Sequence, residues 1–295
     1  MSFAVRAGEI VGLLGPNGAG KTTTLSVLAT LLKPHAGTVT VAGYSVTKDP
    51  SCVRRMLGVV PQSLALYPTF TAHENVLLFA QLAGLRGRAA RAAAATALCV
   101  VGLDERADEL VRTFSGGMQR RLNLACGILH APRVMLLDEP TVGVDPQSRE
   151  RIIEAVRDHA AHGAAVLYST HYLEEAERVC DRVVLIDEGH LIAEGTPEQL
   201  IRQSGGTLRL EVVTRAALPA GWVDDLAGVS LMASSPGASA SSRGLTVQVT
   251  LDDLSTVERV LDRAAESGGG VLEFHVHQPG LQDVFIALTG RELRD

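Results

Sequence analysis

The chain has 295 residues, of which 46% are hydrophobic, and a formal net charge of −6 at neutral pH. This length supports one or two domains with packed cores, and the acidic balance gives no bulk attraction to nucleic acid, so we expect no nucleic-acid partner. The cysteines form no C-x-x-C pair and indicate neither a disulfide framework nor a metal knuckle, and no apolar run approaches the roughly 18 residues that a membrane-spanning helix needs.

The first predicted element is an apolar strand over 9–14, and a glycine-rich loop follows it. This loop, Gly15-Pro16-Asn17-Gly18-Ala19-Gly20-Lys21-Thr22, matches the pattern G-x-x-x-x-G-K-[ST] and leads into a helix-like segment. Its glycines allow successive backbone N–H groups to point at phosphate oxygens, and the helix N-terminus adds a partial positive charge. Lys21 is expected to reach the β- and γ-phosphates, and the Thr22 hydroxyl to hold Mg²⁺. The loop therefore predicts a nucleoside triphosphate site rather than a chance glycine-rich turn.

The middle of the chain is predicted to be helical. The segments Glu74–Leu85 and Arg88–Val101 carry apolar residues at helical spacing, and glycines punctuate them. A further helix follows Ser115-Gly116-Gly117. Glycines before a helix expose N–H groups to an anion, much as the phosphate loop does. Because one such loop is already present, this second one suggests another contact with the same nucleotide.

Two adjacent acids follow the next predicted strand. The run Val134–Leu137 is rich in branched residues, as a strand buried on both faces requires. At its end, Asp138 would place a carboxylate beside the phosphate loop, where it can support Mg²⁺. Glu139 comes next and can polarise an attacking water, since phosphoryl transfer depends on positioning and charge neutralisation. An exposed helix start is the alternative explanation of this acidic pair.

From residue 205 the character of the chain changes. Segments 207–213 and 245–250 alternate with period two, as half-buried strands do, and 254–265, 271–276 and 281–288 read as a helix, a strand and a closing helix. We predict a small α+β accessory domain over 205–295, with a flexible, low-complexity loop over 233–244. His275 and His277 share a strand face; a metal site and a solvated pair are both compatible with that spacing, and no carboxylate or cysteine partners point to metal.

Several motifs together resemble the nucleotide-binding domain of ATP-binding cassette (ABC) transporters. Besides the phosphate loop, they are carried by Gln62 in 59–62, Arg112–Arg121, Val134–Thr141, Val142–Pro146 and Tyr168–His171, in the family's order and spacing. The resemblance covers roughly two-thirds of the chain, to about Leu200. It implies an α/β P-loop NTPase fold over 1–204, with a parallel-sheet core and a helical subdomain. It also implies ATP and Mg²⁺ as cofactors and a homodimer with ATP sandwiched between the two protomers.

The resemblance assigns roles to individual positions. Gln62 would contact Mg²⁺ and the water region, His171 would contact the γ-phosphate, and Asp145 lies where the family crosses the dimer interface, although Gly143–Pro146 also reads as an ordinary turn into a helix. Met118 stands where the family usually has glutamine, which removes a polar side chain from the second phosphate contact. The implied nucleotide-binding set is Gly15, Pro16, Asn17, Gly18, Ala19, Gly20, Lys21, Thr22, Thr23, Ser115, Gly116, Gly117 and Asp145; the metal set is Thr22, Gln62 and Asp138; the catalytic set is Glu139, His171 and Gln62.

The family also implies a partner, an integral-membrane permease whose short cytoplasmic helix enters a groove of the helical subdomain. Candidate contacts, each of which is equally explained as core, are Leu64, Leu66, Tyr67, Phe70 and Phe79. The ending 280–290 and the run Tyr172–Ala176 resemble ATPases of drug exporters of the daunorubicin-resistance type. We therefore predict the ATP-hydrolysing subunit of an ABC-2-type exporter of a drug or other hydrophobic small molecule, at the cytoplasmic face of a bacterial membrane. The alternatives are export of lipid, polysaccharide or peptide and, in another class, a soluble ABC ATPase acting on ribosomes or DNA.

The start of the chain departs from the family pattern. In the family, a strand with an aromatic residue that stacks on adenine precedes the phosphate loop by some tens of residues. Here only Met1–Gly8 lie before the first predicted strand, and Phe3 is the only aromatic residue among them. We therefore expect the domain over 1–204 to lack its first strand.

Overall fold

The structure, a computed structural model, describes residues 1–236 and 245–290. Within these ranges the chain divides into two compact units, Met1–Glu198 and 199–290. The sequence places the division after residue 204, but the contacts place it inside the helix Pro197–Gln203. Gly206 donates its N–H to the Ile201 carbonyl (3.2 Å), so the C-terminal end of this helix is bonded to residues of the second unit.

The first unit is built on a mainly parallel sheet. The strands of this unit are β1 (Ile10–Leu14), β2 (Thr40–Val41), β3 (Tyr44–Ser45), β4 (Leu57–Val60), β5 (Val134–Asp138), β6 (Ala165–Thr170), β7 (Arg182–Asp187) and β8 (His190–Gly195). The sheet order is β4-β5-β6-β1-β7-β8, in which only the edge pair β7–β8 is antiparallel, and β2 and β3 form a separate small antiparallel pair. The predicted parallel-sheet core is confirmed.

The central strands read as continuous apolar runs because both of their faces are covered. All residues of β1 and β6 are buried. Val11, Leu13, Leu136, Leu167 and Val184 come from four neighbouring strands and belong to one buried cluster. Parallel strands end at the same edge of a sheet, so the residues that follow β1, β4, β5 and β6 are brought together there.

The helices of the first unit cover this sheet and form the predicted helical subdomain. Helices α3, α4 and α5 pack on one another. The first two correspond to the two predicted helices, with ends that differ by one to three residues, and α3 begins earlier because Thr71 and Glu74 form a capping box. The helices of this unit are α1 (Lys21–Leu28), α2 (Pro50–Met56), α3 (Ala72–Leu82), α4 (Gly87–Val100), α5 (Gly116–Ile128), α6 (Pro146–Ala161) and α7 (Leu173–Val179), and α8 (Pro197–Gln203) contains the division between the two units.

The second unit has the predicted α+β character. Its described elements are β9 (Leu208–Thr214), β10 (Val229–Pro236), β11 (Leu245–Leu251), α9 (Thr256–Glu266), β12 (Val271–His277) and α10 (Leu281–Thr289). The strands form an antiparallel sheet of order β10-β11-β9-β12, and a core around Trp222, Val249 and Val260 lies on one of its faces. In neither unit does a described helix combine the length and apolar character that crossing a membrane requires.

Two features of this unit bear on the sequence predictions. Residues 233–236 were predicted as the start of a loop, but they pair with β11 as the end of β10, because backbone hydrogen bonds form a strand without apolar side chains. The rest of that predicted loop, 237–244, lies outside the described residues. His275 and His277 each contact a different carboxylate, Glu273 (3.0 Å) and Asp283 (3.5 Å).

Phe3 packs inward. It is partly buried against the core cluster of the first unit and lines an apolar cavity of about 540 Å³. Thr23 lines the same cavity, together with further residues of α1 and with β2. Phe3 therefore contributes to the core of the first unit.

Candidate active site

The carboxyl edge of the sheet gathers the predicted site residues from four strands. The phosphate loop follows β1, Asp138 ends β5, and His171 follows β6. In the register of the sheet, Leu14 lies opposite Thr170, and Asp138 lies opposite Ser169. Gln62 follows β4 at the same edge.

The phosphate loop wraps around the Lys21 side chain. Lys21 is 6% exposed, and its Nζ donates to the carbonyls of Gly15 (2.7 Å) and Pro16 (3.2 Å). Gly15 lies so close to β7 that a Cβ there would be 2.2 Å from the Ile186 carbonyl oxygen. Gly20 has a φ of 103°, a left-handed conformation that favours glycine just before α1. The pattern thus has glycine where the backbone lies against β7 and where it adopts a left-handed conformation. A side chain at either position would be strained.

The charge of Lys21 is balanced by the two predicted acids. Burial lowers the pKa of Lys21, and the carboxylates of Glu139 and Asp138 oppose that shift. The Glu139 Oε1 atom lies 3.9 Å from Nζ, and both side chains are buried. The Lys21 amino group thus lies inside the loop beside two carboxylates, where it can interact with phosphate oxygens.

Thr22 and Asp138 form a set of oxygen donors beside the loop. Thr22 Oγ1 donates to Asp138 Oδ2 (3.1 Å), and Ser169 Oγ donates to Asp138 Oδ1 (2.6 Å). In the described parts of the chain, no group of three His, Cys, Asp or Glu side chains could hold a metal ion alone. A hydroxyl and a single carboxylate fit Mg²⁺, which is usually bound through one or two carboxylates together with substrate phosphates.

Glu139 is the point at which the predicted catalytic residues meet. Its Oε2 accepts a hydrogen bond from Gln62 Nε2 (2.9 Å), and its Oε1 lies 3.0 Å from His171 Nδ1. The carboxylate is buried, with 7% of the side chain exposed, whereas 16% of His171 is exposed. Gln62, Glu139 and His171 are separated in sequence by tens of residues, and the sheet edge joins them into one cluster.

The backbone of Glu139 has an unusual conformation. Its φ is 47°, in the left-handed region that side chains other than glycine seldom adopt. The Glu139 N–H holds this turn by donating to the Ser169 carbonyl (3.1 Å) and lying 3.2 Å from Ser169 Oγ. Non-glycine residues in this region cluster at functional sites, where the surroundings hold the strained backbone. The turn aims the carboxylate at Gln62 and His171.

Helix α5 holds the Gln62 loop through two side chains that the sequence analysis did not identify. Arg120 Nη1 donates to the Gln62 carbonyl. Asn123, which is 2% exposed, donates to the Pro61 carbonyl (3.3 Å) and accepts from the Ala65 N–H (3.2 Å). Burial lowers the pKa of Arg120, and the nearby Glu139 carboxylate opposes the shift. A polar residue on a helix carries no local pattern that would reveal this contact.

The second glycine segment lies at the start of α5, beside Asp145. Ser115 Oγ accepts from the Met118 N–H (3.2 Å) and caps the helix, while Ser115 and Gly116 remain exposed. A Cβ on Gly117 would lie 2.4 Å from Asp145 Oδ1. Asp145 in turn caps α6 by accepting from the Ser148 N–H (2.9 Å). The structure thus brings Ser115–Gly117 together with Asp145, and the hydrogen bonds described for Ser115 and Asp145 do not join them to the phosphate loop.

Known proteins share this architecture. A family model described as ABC transporter matches residues 1–142. The linearmycin resistance ATP-binding protein LnrL of Bacillus subtilis is 39% identical, over 100% of this chain and 94% of that protein. The Nod factor export ATP-binding protein I of Burkholderia orbicola is 42% identical, over 100% of this chain and 92% of that protein. A solved dimeric structure of a post-hydrolysis state of the ATP-binding cassette MJ0796, bound to ADP and Pi, is 27% identical with a TM-score of 0.60, over 66% of this chain and 88% of that one.

Proposed function

The chain belongs to the ABC transporter family as an ATP-binding protein, and from this premise we propose that it hydrolyses ATP as the motor subunit of an exporter. The observation that carries the proposal is the cluster at the sheet edge, where Gln62 and His171 hold the buried Glu139 carboxylate beside Lys21. In this proposal the motor docks on a separate integral-membrane permease at the cytoplasmic face of the membrane.

The site residues divide the work of phosphoryl transfer among them. Loop N–H groups and Lys21 would bind the phosphates, and Thr22 and Asp138 would hold Mg²⁺, which would supply positive charge to the phosphate oxygens. Glu139 orients the attacking water and accepts its proton. Gln62 and His171 fix the Glu139 side chain through one hydrogen bond to each carboxylate oxygen, so its orientation does not have to be found during the reaction.

We also propose that the working form is a homodimer with ATP between the protomers. Ser115 and Gly116 present exposed backbone N–H groups at the start of the 13-residue helix α5, which suits a phosphate from outside the protomer. Asp145, packed against Gly117, is exposed next to them. An isologous pairing would bring this surface of each protomer onto the phosphate loop of the other and make two equivalent sites.

The face for the permease lies beside the Gln62 loop. Leu64, Tyr67 and Phe70 are 39%, 49% and 38% exposed, and the two aromatic rings stack with centroids 5.4 Å apart. Their backbone is fixed, because the buried Asn75 accepts from the Tyr67 N–H (2.8 Å) and donates to its carbonyl (3.0 Å). Leu66 is half-buried. Exposed apolar rings on a rigid backbone suit a partner helix with an apolar face.

The second part of the proposed docking site is a groove beside β4, the strand that precedes this loop. It has a volume of about 430 Å³ and lies between α2, α3, α5 and β4. Phe79 lines it together with Val59 and Leu82, which are 40% and 71% exposed, and Arg54 lines it from α2. Val59 and Leu82 extend the set of contacts that the sequence analysis named. We propose that a short cytoplasmic helix of the permease occupies this groove.

A charge placed on the aromatic pair is expected to release the protein from membranes. Tyr67→Asp or Phe70→Asp puts a carboxylate where we propose an apolar contact, so retention by membranes that contain the permease should fall at least about tenfold, the effect of about 1.4 kcal/mol. The measurement is co-sedimentation with membranes from cells expressing the neighbouring permease gene, with ATP affinity measured on the same preparations. ATP affinity should stay within twofold.

Tyr44→Asp provides the matched control for this experiment. Tyr44 is 38% exposed on β3 and is not among the residues that line the groove, so the same substitution should leave retention unchanged. Equal retention of Tyr67→Asp, Phe70→Asp and the control would contradict the docking face. Failure of the wild-type chain to sediment with any permease-containing membrane would favour the soluble ATPase acting on ribosomes or DNA.

The cargo is proposed from the relatives. One similar protein is named for linearmycin resistance and another for Nod factor export. We propose a drug or other hydrophobic small molecule, and we retain lipid, polysaccharide or peptide as the alternative. Cells expressing this chain with its permease should tolerate more of the exported drug than cells carrying Glu139→Gln, and a drug panel without any such difference would favour the alternative.

A further inference from the structure

A second buried carboxylate lies behind the catalytic cluster. Glu175, on α7, is 7% exposed. None of the motifs that describe the site assigns it a role. The Tyr168 hydroxyl donates to its Oε1 atom (2.7 Å), and the Thr141 hydroxyl lies 2.9 and 2.8 Å from its two oxygens. Tyr168 and Thr141 are themselves 0% and 1% exposed. A carboxylate that is buried among hydroxyls has a high desolvation cost, so a residue of this kind needs an explanation.

The nearest cation balances this charge only in part. Arg149 Nε lies 3.9 Å from Glu175 Oε2, beyond hydrogen-bond distance, and this Nε is buried without a hydrogen-bond partner. Burial, and secondly the Glu175 carboxylate, raise the pKa of the Tyr168 hydroxyl well above its usual value. That hydroxyl therefore remains a donor across the physiological pH range. The two hydroxyl groups supply the hydrogen bonds that hold the carboxylate in place.

The hydrogen bonds of Glu175 join the two segments that carry the catalytic pair. Thr141 is two residues after Glu139, and Tyr168 is three residues before His171 on β6. Glu175 itself is four residues after His171. One carboxylate is therefore bonded to the segments on either side of the 3.0 Å contact between Glu139 and His171.

A further contact extends this arrangement to α6. The guanidinium of Arg149 lies over the ring of Tyr172, 5.9 Å from its centroid, and that ring packs against His171 with centroids 4.2 Å apart. Arg149 stands one turn into the helix that Asp145 caps. The segment between Thr141 and Arg149 is thus held at both ends, by the Glu175 carboxylate and by the aromatic ring beside His171.

We propose that Glu175 is a positioning residue for ATP hydrolysis, which sets the contact between Glu139 and His171 through Thr141 and Tyr168. The proposal rests on the proposed ATPase function. Because Glu139 has a strained backbone, it needs support from its surroundings, and Thr141 is the buried anchor nearest to it on its C-terminal side. A misplacement of about 1 Å at a reacting group can lower a rate by about 100-fold, so loss of this anchor should affect turnover far more than nucleotide binding.

The test is Glu175→Gln, assayed for ATP turnover and, separately, for ATP affinity with a fluorescent nucleotide. Glutamine keeps the shape but replaces one acceptor oxygen with an NH₂ group, so one of the two hydroxyls loses its acceptor. We expect kcat to fall about 10- to 100-fold with ATP affinity within twofold of wild type. Glu174→Gln is the matched control, because Glu174 is the exposed neighbour on the same helix turn and should leave both quantities unchanged.

Tyr168→Phe keeps the experiment decisive if Glu175→Gln does not fold, because it removes a single oxygen from a buried ring. It should also lower kcat, and the two losses should not add fully in the double variant, since both changes affect the hydrogen bond between Tyr168 and Glu175. Wild-type kcat in these variants, or losses that add fully, would overturn the positioning role. A loss of ATP affinity as large as the loss of kcat, together with a lower Tm, would also overturn it. An inactive wild-type chain would instead overturn the proposed ATPase function.

Discussion

Glu139→Gln is expected to bind ATP normally and to hydrolyse it at a rate lower by a factor of about 10² to 10⁴, the usual contribution of a general base. Glutamine preserves the size of the side chain and can still accept one hydrogen bond, so the site should keep its shape. It removes the negative charge that orients water, and it places an NH₂ group opposite either Gln62 Nε2 or His171 Nδ1. The measurement is steady-state phosphate release, with ATP affinity determined in parallel.

The same variant should accumulate as an ATP-bound dimer. If hydrolysis reopens the dimer, a protomer that binds but does not hydrolyse ATP stays closed, and light scattering should report twice the mass with ATP and Mg²⁺ present. Glu154→Gln, an exposed position on α6, is the control and should turn over like wild type. Wild-type turnover in Glu139→Gln would remove Glu139 from the role of water-orienting base.

The two glycines that start α5 are expected to differ sharply when each is replaced by alanine. A Cβ on Gly117 would meet Asp145 Oδ1 and Ser148 Oγ at 2.4 Å each, whereas a Cβ on Gly116 would meet nothing within 4 Å. Gly117→Ala should therefore push α5 away from α6 and weaken the Asp145 cap, lowering the free energy of unfolding by about 1–3 kcal/mol. For a unit of this size each kcal/mol corresponds to about 2–4 °C in Tm.

Gly116→Ala should leave Tm unchanged and act on the dimer alone. Its methyl group would project from the exposed start of α5, where we propose that the partner's ATP binds, so ATP-induced dimerisation should weaken although the protomer is intact. The measurements are thermal unfolding without nucleotide and light scattering with ATP. Equal losses of Tm in the two variants would contradict the stability cost of a Cβ at Gly117. Normal dimerisation of Gly116→Ala would contradict the second phosphate contact.

The part of the site that sequence predicts is the part with a local mechanism. Gly15–Thr22 requires certain residues at fixed spacing, because a backbone loop must turn around phosphate, and Asp138 follows a strand that is recognisable from its branched residues. Gln62 and His171 carry no such local requirement, and only the family resemblance singled them out. That both contact the Glu139 carboxylate depends on how four strands are ordered in the sheet, which no local pattern specifies.

The residues that the sequence did not reveal act through tertiary contacts. Ser169, Asn123 and Glu175 are a serine in a strand, an asparagine in a helix and one glutamate of an adjacent pair, and each reads as ordinary until its partners are known. The end of β10 was missed for a related reason, since residues 233–236 lack the apolar alternation that marks a strand, although their backbone pairs with β11. Secondary structure that is formed by pairing rather than by side-chain pattern is not visible in a single sequence.

The hydrogen bonds between α5 and the Gln62 loop have a thermodynamic consequence. Arg120 and Asn123 attach that loop to the helix that Ser115 begins, so moving the loop alone breaks three hydrogen bonds, each worth about 0.5–1.5 kcal/mol net. A ligand that moves this loop and a ligand that binds at Ser115 both act on α5. The binding free energies of the two ligands are therefore coupled, favourably or unfavourably. Linkage requires their effects to be equal: if permease binding tightens ATP binding by some factor, ATP must tighten permease binding by the same factor. The permease affinity measured with and without ATP thus reports the coupling free energy between the permease face and the nucleotide contact at Ser115.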